Sequence, residues 1–498
     1  MAPTLALEAL AVYDHTLNQT GETLLVEDGN ARPIRGGPPS YASRLRLGGY
    51  IIPSFIDAHL HLTWLGLHLK GVDLSGSKTP SDVAHGMIHA KGEIAYGRGW
   101  DQENFDDSRE LPTRRMLDKY VRDRPAIAVR VCGHLAVANT AALQMAEPWK
   151  KYPGLVDREN GILWEDAVEY TLSRILEEID LKPYLATALN ALWEAGVSGF
   201  SSMSCSPMEY KALRRLEDEG TLRHRVSCYP DHHRLREFPA DSSRNIGMVR
   251  IVGVKLFADG SFGARTAALY DDYADDPGNK GRLLLTSRDI ERIGKEVLSR
   301  GLRVATHAIG DEAIGEVLDA YEHLAPGARG RIEHFSLASN TDILKAASLG
   351  VYIVVQPYFR IADWWLDKRL GVDRAMLAYR FKTMTRRGVR IAFSTDAPVD
   401  PYNPIETLKA AYSECSTMLC RRDEALSPRE AFKAYTYSSA KASGGPVETL
   451  YGTGGEARLS GYAWTPNNPV SGEWKGPILV LEENNIKIIN RDKTDLVF

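Results

Sequence analysis

From about residue 184 onward, short apolar runs alternate with amphipathic segments, and this alternation constrains the fold more than any other feature of the chain. Strands are expected at Val197–Met203, Arg225–Tyr229, Ile251–Phe257, Leu302–Thr306, Arg331–Glu333, Tyr352–Gln356 and Arg390–Ser394. Helical periodicity falls between them at Tyr184–Ala195, Ser287–Arg300, Asp311–His323, Thr341–Leu349 and Ala375–Arg387. Such alternation builds a parallel sheet covered by helices. A further apolar, β-branched run at Tyr50–Ile56 brings the strands to the number that closes a (β/α)8 barrel. The expected fold class is therefore α/β, a (β/α)8 TIM-like barrel over residues 50–440.

Two regions depart from that pattern. Residues 62–183, which include GRGWDQENFDD at 97–107, are too long for a simple strand-to-helix loop. They are expected to form a lid or subdomain at the barrel mouth. Residues 1–49 and 441–498 carry strand-like fragments at Thr23–Val26, Pro477–Leu481 and Lys487–Ile489 between turn-rich spacers. They read as a small β-sandwich domain formed by both termini.

Composition narrows the function classes. A net charge of -4 gives no electrostatic case for nucleic acid. No apolar stretch approaches the ~20 residues that a membrane helix needs. The opening MAPTLALEALAVYDHTL has no cationic segment before its apolar run, so no signal peptide is expected. The cysteines (Cys132, Cys205, Cys228, Cys415 and Cys420) are odd in number and lack a CxxC pair. That argues against a disulfide framework or a thiolate zinc site, and for a cytoplasmic location. The expected partner is a small-molecule substrate, with a homo-oligomer left open.

The chemistry gathers at strand ends. In Phe55-Ile56-Asp57-Ala58-His59-Leu60-His61, two histidines two residues apart present both imidazoles to one side of an extended chain. His307, His334 and Asp396 each follow an apolar run, so each emerges at the same barrel face, where such barrels carry their catalytic groups. Four imidazoles and a carboxylate suit zinc or a similar divalent ion. Taken singly, His334 reads equally as a packed core histidine and Asp396 as a helix N-cap. The recurrence at one phase of several strands has no such explanation. Lys255 lies inside the apolar run Ile251–Phe257, where a free ammonium is costly. Desolvation there favours a neutral amine able to take up carbon dioxide as a carbamate, and an ion pair with Asp259 is the alternative.

These residues sit in motifs that resemble the amidohydrolase superfamily, in particular its amidohydrolase-3 branch of YtcJ-like proteins and N-substituted formamide deformylases. The matching segments are PSFIDAHLHL (53–62), GRGWDQENF (97–105), VKLFADGSFGARTAAL (254–269), THAIGDEAI (306–314), RIEH (331–334) and FSTDAPV (393–399). The resemblance implies His59 and His61 as ligands of a first metal, and His307 and His334 as ligands of a second. It implies a carboxylated Lys255 bridging them, and Asp396 as metal contact and proton shuttle, with one or two ions bound. Two departures stand out. Val131-Cys132-Gly133-His134 replaces a usual Asp-Gly-His, and GGEARLSGYAWTP (454–466) matches the family's terminal stretch loosely.

The implied chemistry is hydrolysis of an amide, formamide or cyclic amide. A divalent ion lowers the pKa of a water it binds from 15.7 to about 7, and Asp396 accepts and returns the proton. Ester or lactone hydrolysis uses the same parts. Deamination is disfavoured because Gly310 stands where such enzymes typically carry a glutamate. A non-catalytic metal-binding barrel is the remaining reading. Candidate substrate contacts are Trp100, Asp101, His134, Arg265, Gln356, Trp364 and Trp365, with Arg265 alternatively bracing its loop. His232 and His233 are expected near the same rim.

Overall fold

The computed structural model describes residues 5–27, 30–46, 50–106, 110–239, 247–326, 330–412, 419, 421–444, 459–462, 479–482 and 485–487. Cys415, Cys420 and most of 454–466 lie outside them. The chain divides into two units. One comprises Met1–His61, Ala191–Pro207 and Glu219–Phe498, the other Leu62–Asn190 and Met208–Asp218.

Parallel strands organise the first unit. β1 (Phe55–Leu60), β2 (Val197–Met203), β3 (Arg225–Tyr229) and β4 (Val249–Ile251) lie in the order β4-β3-β2-β1. β5 (Gly253–Phe257), β6 (Arg303–Ala308), β7 (Arg331–His334), β8 (Tyr352–Val355) and β9 (Arg390–Phe393) follow one another in a second sheet. Every neighbouring pair is parallel, so the fold is α/β. The run read as one strand at Ile251–Phe257 is divided at Val252, because Val249–Ile251 pairs with β3 and Gly253–Phe257 with β6. Backbone hydrogen bonds link the two sheets at both margins. The Lys255 amide donates to the Pro230 carbonyl, and the Asp396 amide donates to the carbonyl of His59, each at 2.8 Å.

Helices Ser287–Leu298, Asp311–His323 and Asn340–Leu349 alternate with the later strands. Capping boxes of Thr286 with Asp289 and Ser339 with Asp342 start the first and third, satisfying amides that a helix leaves unbonded. The helix expected over Ala375–Arg387 is broken instead. Tyr379 has φ 53, and its amide donates to the Ser336 carbonyl rather than up the helix. The first unit also holds an eight-stranded mixed sheet drawn from both ends of the chain. It runs from Asn485–Lys487 through Leu459–Tyr462, Tyr50–Pro53 and Leu5–Tyr13 to Asn30–Ile34. Tyr50–Pro53 thus belongs to this sheet, and the parallel array starts only at Phe55.

The second unit has its own six-stranded sheet and an apolar core containing Val83, Met87, Trp100 and Leu117. Among the described residues, no helix is long and apolar enough to cross a membrane.

Candidate metal centre

The C-terminal ends of the parallel strands bring His59, His61, Lys255, His307, His334 and Asp396 to one cleft in the first unit. Each imidazole has one nitrogen tied to an acceptor. His59 Nδ1 donates to Glu333 Oε2 at 2.6 Å, and His61 Nδ1 donates to the Met203 carbonyl at 3.2 Å. His334 Nδ1 donates to Gln356 Oε1 at 2.8 Å. Since these oxygens accept only, each Nδ1 carries the hydrogen and Nε2 keeps its lone pair. His307 is reversed: its Nε2 donates to the Gly260 carbonyl at 2.8 Å, leaving Nδ1 as the free donor atom.

The free atoms cluster. Asp396 Oδ1 stands 3.2 Å from Nε2 of both His59 and His61. One ligand atom each from His59, His334 and Asp396 lies within 4.8 Å of the others. His59 Nε2 and Asp396 Oδ1 are buried and make no hydrogen bond of acceptable geometry. Ligand atoms about 2.0–2.1 Å from a tetrahedral zinc ion stand roughly 3.3 Å apart, so the spacing and donor set fit a divalent ion. The backbone supports the geometry at a cost: His334 and Asp396 have φ 69 and 55, a left-handed region uncommon for residues other than glycine.

Burial sets the protonation states. It pushes the Lys255 ammonium down to about 8, against the pull of Glu333 and Asp396. Burial and the neighbouring Lys255 push His307 down to about 3, and burial with His307 pushes His334 well below its ordinary value. Both rings are therefore neutral at pH 7, as metal ligands must be. Burial alone would raise the Asp396 carboxyl, but the neighbouring His59 and His61 rings hold it well below the usual range.

Arg331, Glu333 and Asp57 are supporting residues that the sequence does not single out, and Asp259, the alternative ion partner of Lys255, takes a different role. Arg331 Nε donates to Glu333 Oε1 at 2.7 Å, so a buried guanidinium holds the carboxylate that orients His59. The available signal was two opposite charges two residues apart within an apolar strand. Asp57 accepts from the Thr395 hydroxyl at 2.6 Å and from the His59 amide at 3.1 Å, tying the first and last strand ends together. Asp259 accepts from the amides of Ala268, Ile309 and Gly310, at 3.0, 3.1 and 2.8 Å, fixing the loop beside His307.

The cleft encloses about 440 Å³, and Trp365 lines it. The other substrate candidates are placed elsewhere. Gln356 sits behind His334, where its amide also donates to Ser394 Oγ at 2.9 Å. Trp364 is 60% exposed and is not part of the lining. Arg265 braces its loop through Asp275 Oδ2 at 2.9 Å. Trp100, Asp101 and His134 belong to the second unit. There Trp100 is a core residue whose indole donates to the Ala128 carbonyl, Asp101 pairs with Arg130, and His134 pairs with Glu165. His232 faces Glu296, and neither it nor His233 lines the cleft.

Comparison with known proteins identifies the family. The amidohydrolase family pattern matches residues 47–453. The chain is 28% identical over 462 residues to the Bacillus subtilis protein named as amidohydrolase YtcJ, covering 87% of this chain and 86% of that one. It is 24% identical to the N-substituted formamide deformylase of Arthrobacter pascens, covering 84% of each. The crystal structure of an uncharacterized metal-dependent hydrolase from Pyrococcus furiosus superposes with a TM-score of 0.84 at 32% identity, over 93% of this chain and 99% of that one. A family match over residues 47–453 and a 32% identical structure covering nearly the whole fold place the chain in the amidohydrolase family.

Proposed function

We propose that the chain hydrolyses the C–N bond of a small amide, formamide or cyclic amide. In this reading His59, His61, His307, His334 and Asp396 hold one or two zinc-like divalent ions, with Lys255 carboxylated between them. The observation that carries it is the set of four imidazoles in one cleft, each anchored through one nitrogen so that the other is free, with those of His59 and His61 3.2 Å from the Asp396 carboxylate. We also read the two parallel sheets as arcs of one closed (β/α)8 barrel, supported by the backbone hydrogen bonds at both margins.

When bound, such an ion supplies Lewis-acid polarisation of a carbonyl and acidifies a water. The chain's own residues do the rest. Asp396 takes the proton of the attacking water and passes it to the departing nitrogen, which leaves poorly without it. Glu333 and Gln356 keep His59 and His334 in the tautomer that leaves Nε2 as donor. The neutral Lys255 amine adds to carbon dioxide, forming an N–C bond and releasing one proton, which converts a buried neutral amine into an anion with two ligand oxygens. Deamination finds no support at Gly310, because a Cβ there would meet the Ala268 carbonyl oxygen at 1.9 Å and no glutamate fits.

The test is a hydrolysis screen of zinc-loaded protein on N-formyl and N-acetyl amines, lactams, esters and amino-heterocycles. Amides are expected to turn over, and Asp396→Asn is expected to retain metal while losing about 10²–10⁴-fold in rate. Near-normal turnover in that variant refutes the assigned role. Stoichiometric metal with no turnover on any substrate favours a binding protein.

A further inference from the structure

Around the centre, the cleft is lined by the rings of Phe257, Phe359, Trp365 and Tyr379, and by two carboxyl groups, Asp363 and Asp400. Asp400 is only 5% exposed, and its Oδ2 has no hydrogen-bond partner among the described residues. Asp363 accepts the Tyr379 hydroxyl. Apart from Lys255 at the centre, the described lining contains no lysine or arginine. Arg369 stacks on Trp365, but its charge is taken up by Asp275. Buried carboxyl groups in folded proteins are normally paired, yet neither the buried Asp400 nor the half-buried Asp363 has a lysine or arginine partner among the described residues.

We propose that Asp400, assisted by Asp363, forms a subsite for a cationic nitrogen (ammonium, amidinium or guanidinium), and that the surrounding aromatic rings cover its apolar flanks. Resting on the hydrolase reading, this defines the substrate class as small amides that carry a positive charge away from the scissile bond. Aromatic faces attract cations electrostatically, so the walls and the carboxyl groups select in the same direction. Burial, reinforced by Asp396 and Asp363, pushes the Asp400 carboxyl up to about 8, and burial pushes Asp363 up to about 6. A bound cation would reverse both shifts.

Isothermal titration of the zinc-loaded protein with benzamidine and its neutral isostere benzamide tests the subsite without requiring turnover. Benzamidine is expected to bind at least ~10-fold tighter, the scale of a hydrogen bond between charged groups. Asp400→Asn is expected to bring the two ligands close to parity with zinc content unchanged. Equal affinities in the unmodified protein, or a preference that survives in both Asp400→Asn and Asp363→Asn, would overturn the proposal. The unmodified protein decides the first point even if a variant fails to fold. A benzamidine preference without hydrolysis of any amide would leave the subsite standing and remove the hydrolase reading. Amide hydrolysis without the preference would do the opposite.

Discussion

Two buried groups of charges in the first unit are built on opposite rules. Beneath the centre, Arg331, Glu333 and His59 form a closed set, with the guanidinium donating to Glu333 and, at 3.2 Å, to Ser201 Oγ. The guanidinium and His59 hold the Glu333 carboxyl below its usual range despite its burial. In the cleft wall, Asp363 and Asp400 have no such counter-charge, and burial raises both. A compensated set holds its neighbours in place, whereas an uncompensated one remains costly until something binds. The contrast separates scaffold from recognition within one cleft.

Breaking the compensated set should have the largest effect. Arg331→Met strands the Glu333 carboxylate and is expected to lower the unfolding free energy by about 3–5 kcal/mol in denaturant titration. A loss below roughly 1 kcal/mol, the size typical of exposed pairs, would show the set to be incidental. Glu333→Gln keeps an acceptor for His59 but removes the charge. Chelator competition should then report zinc affinity weaker by about 10–100-fold.

The uncompensated pair should behave in the reverse sense. Asp400→Asn is expected to stabilise the ligand-free protein by about 1–3 kcal/mol at pH 8, the scale of a buried group left without a partner. Because the folded carboxyl titrates near 8, above its unfolded value, its contribution is neutral at low pH and stability falls as pH rises toward 8. The gain should therefore vanish near pH 4, and a gain independent of pH would point to some other cause. The smallest change concerns Lys255. In metal-free protein at fixed carbon dioxide pressure, the carbon-13 carbamate signal should grow as pH climbs through about 8, where the buried amine loses its proton. Its absence in unmodified protein would argue for a plain lysine.

Much of this was legible because the barrel strands are short, apolar and punctuated by polar residues. Val197–Met203 and Arg225–Tyr229 fall where the sequence places them, and all six proposed ligands share the cleft. The failures have physical reasons. Tyr50–Ile56 reads as one apolar run, yet Pro53 ends one sheet and Phe55 begins another, a boundary that periodicity cannot register. Gln356 follows an apolar strand just as a pocket residue would, but its amide faces the back of His334. Trp100 offers the same ring to a substrate or a core, and only the Ala128 carbonyl beneath its indole decides. Glu333 stands beside a ligand in sequence and passes for a neighbour, because the ring it orients, His59, lies 274 positions away along the chain.

The tie between Asp57 and Thr395 spans 338 positions. A polypeptide emerging from a ribosome thus carries His59 long before Asp396 has been synthesised, and the two can meet only once the intervening strands have assembled. On the proposed function, ion capture would therefore belong to the closing stage of maturation. Any product truncated before Asp396 would retain most of its imidazoles and still have no carboxylate to complete the grip.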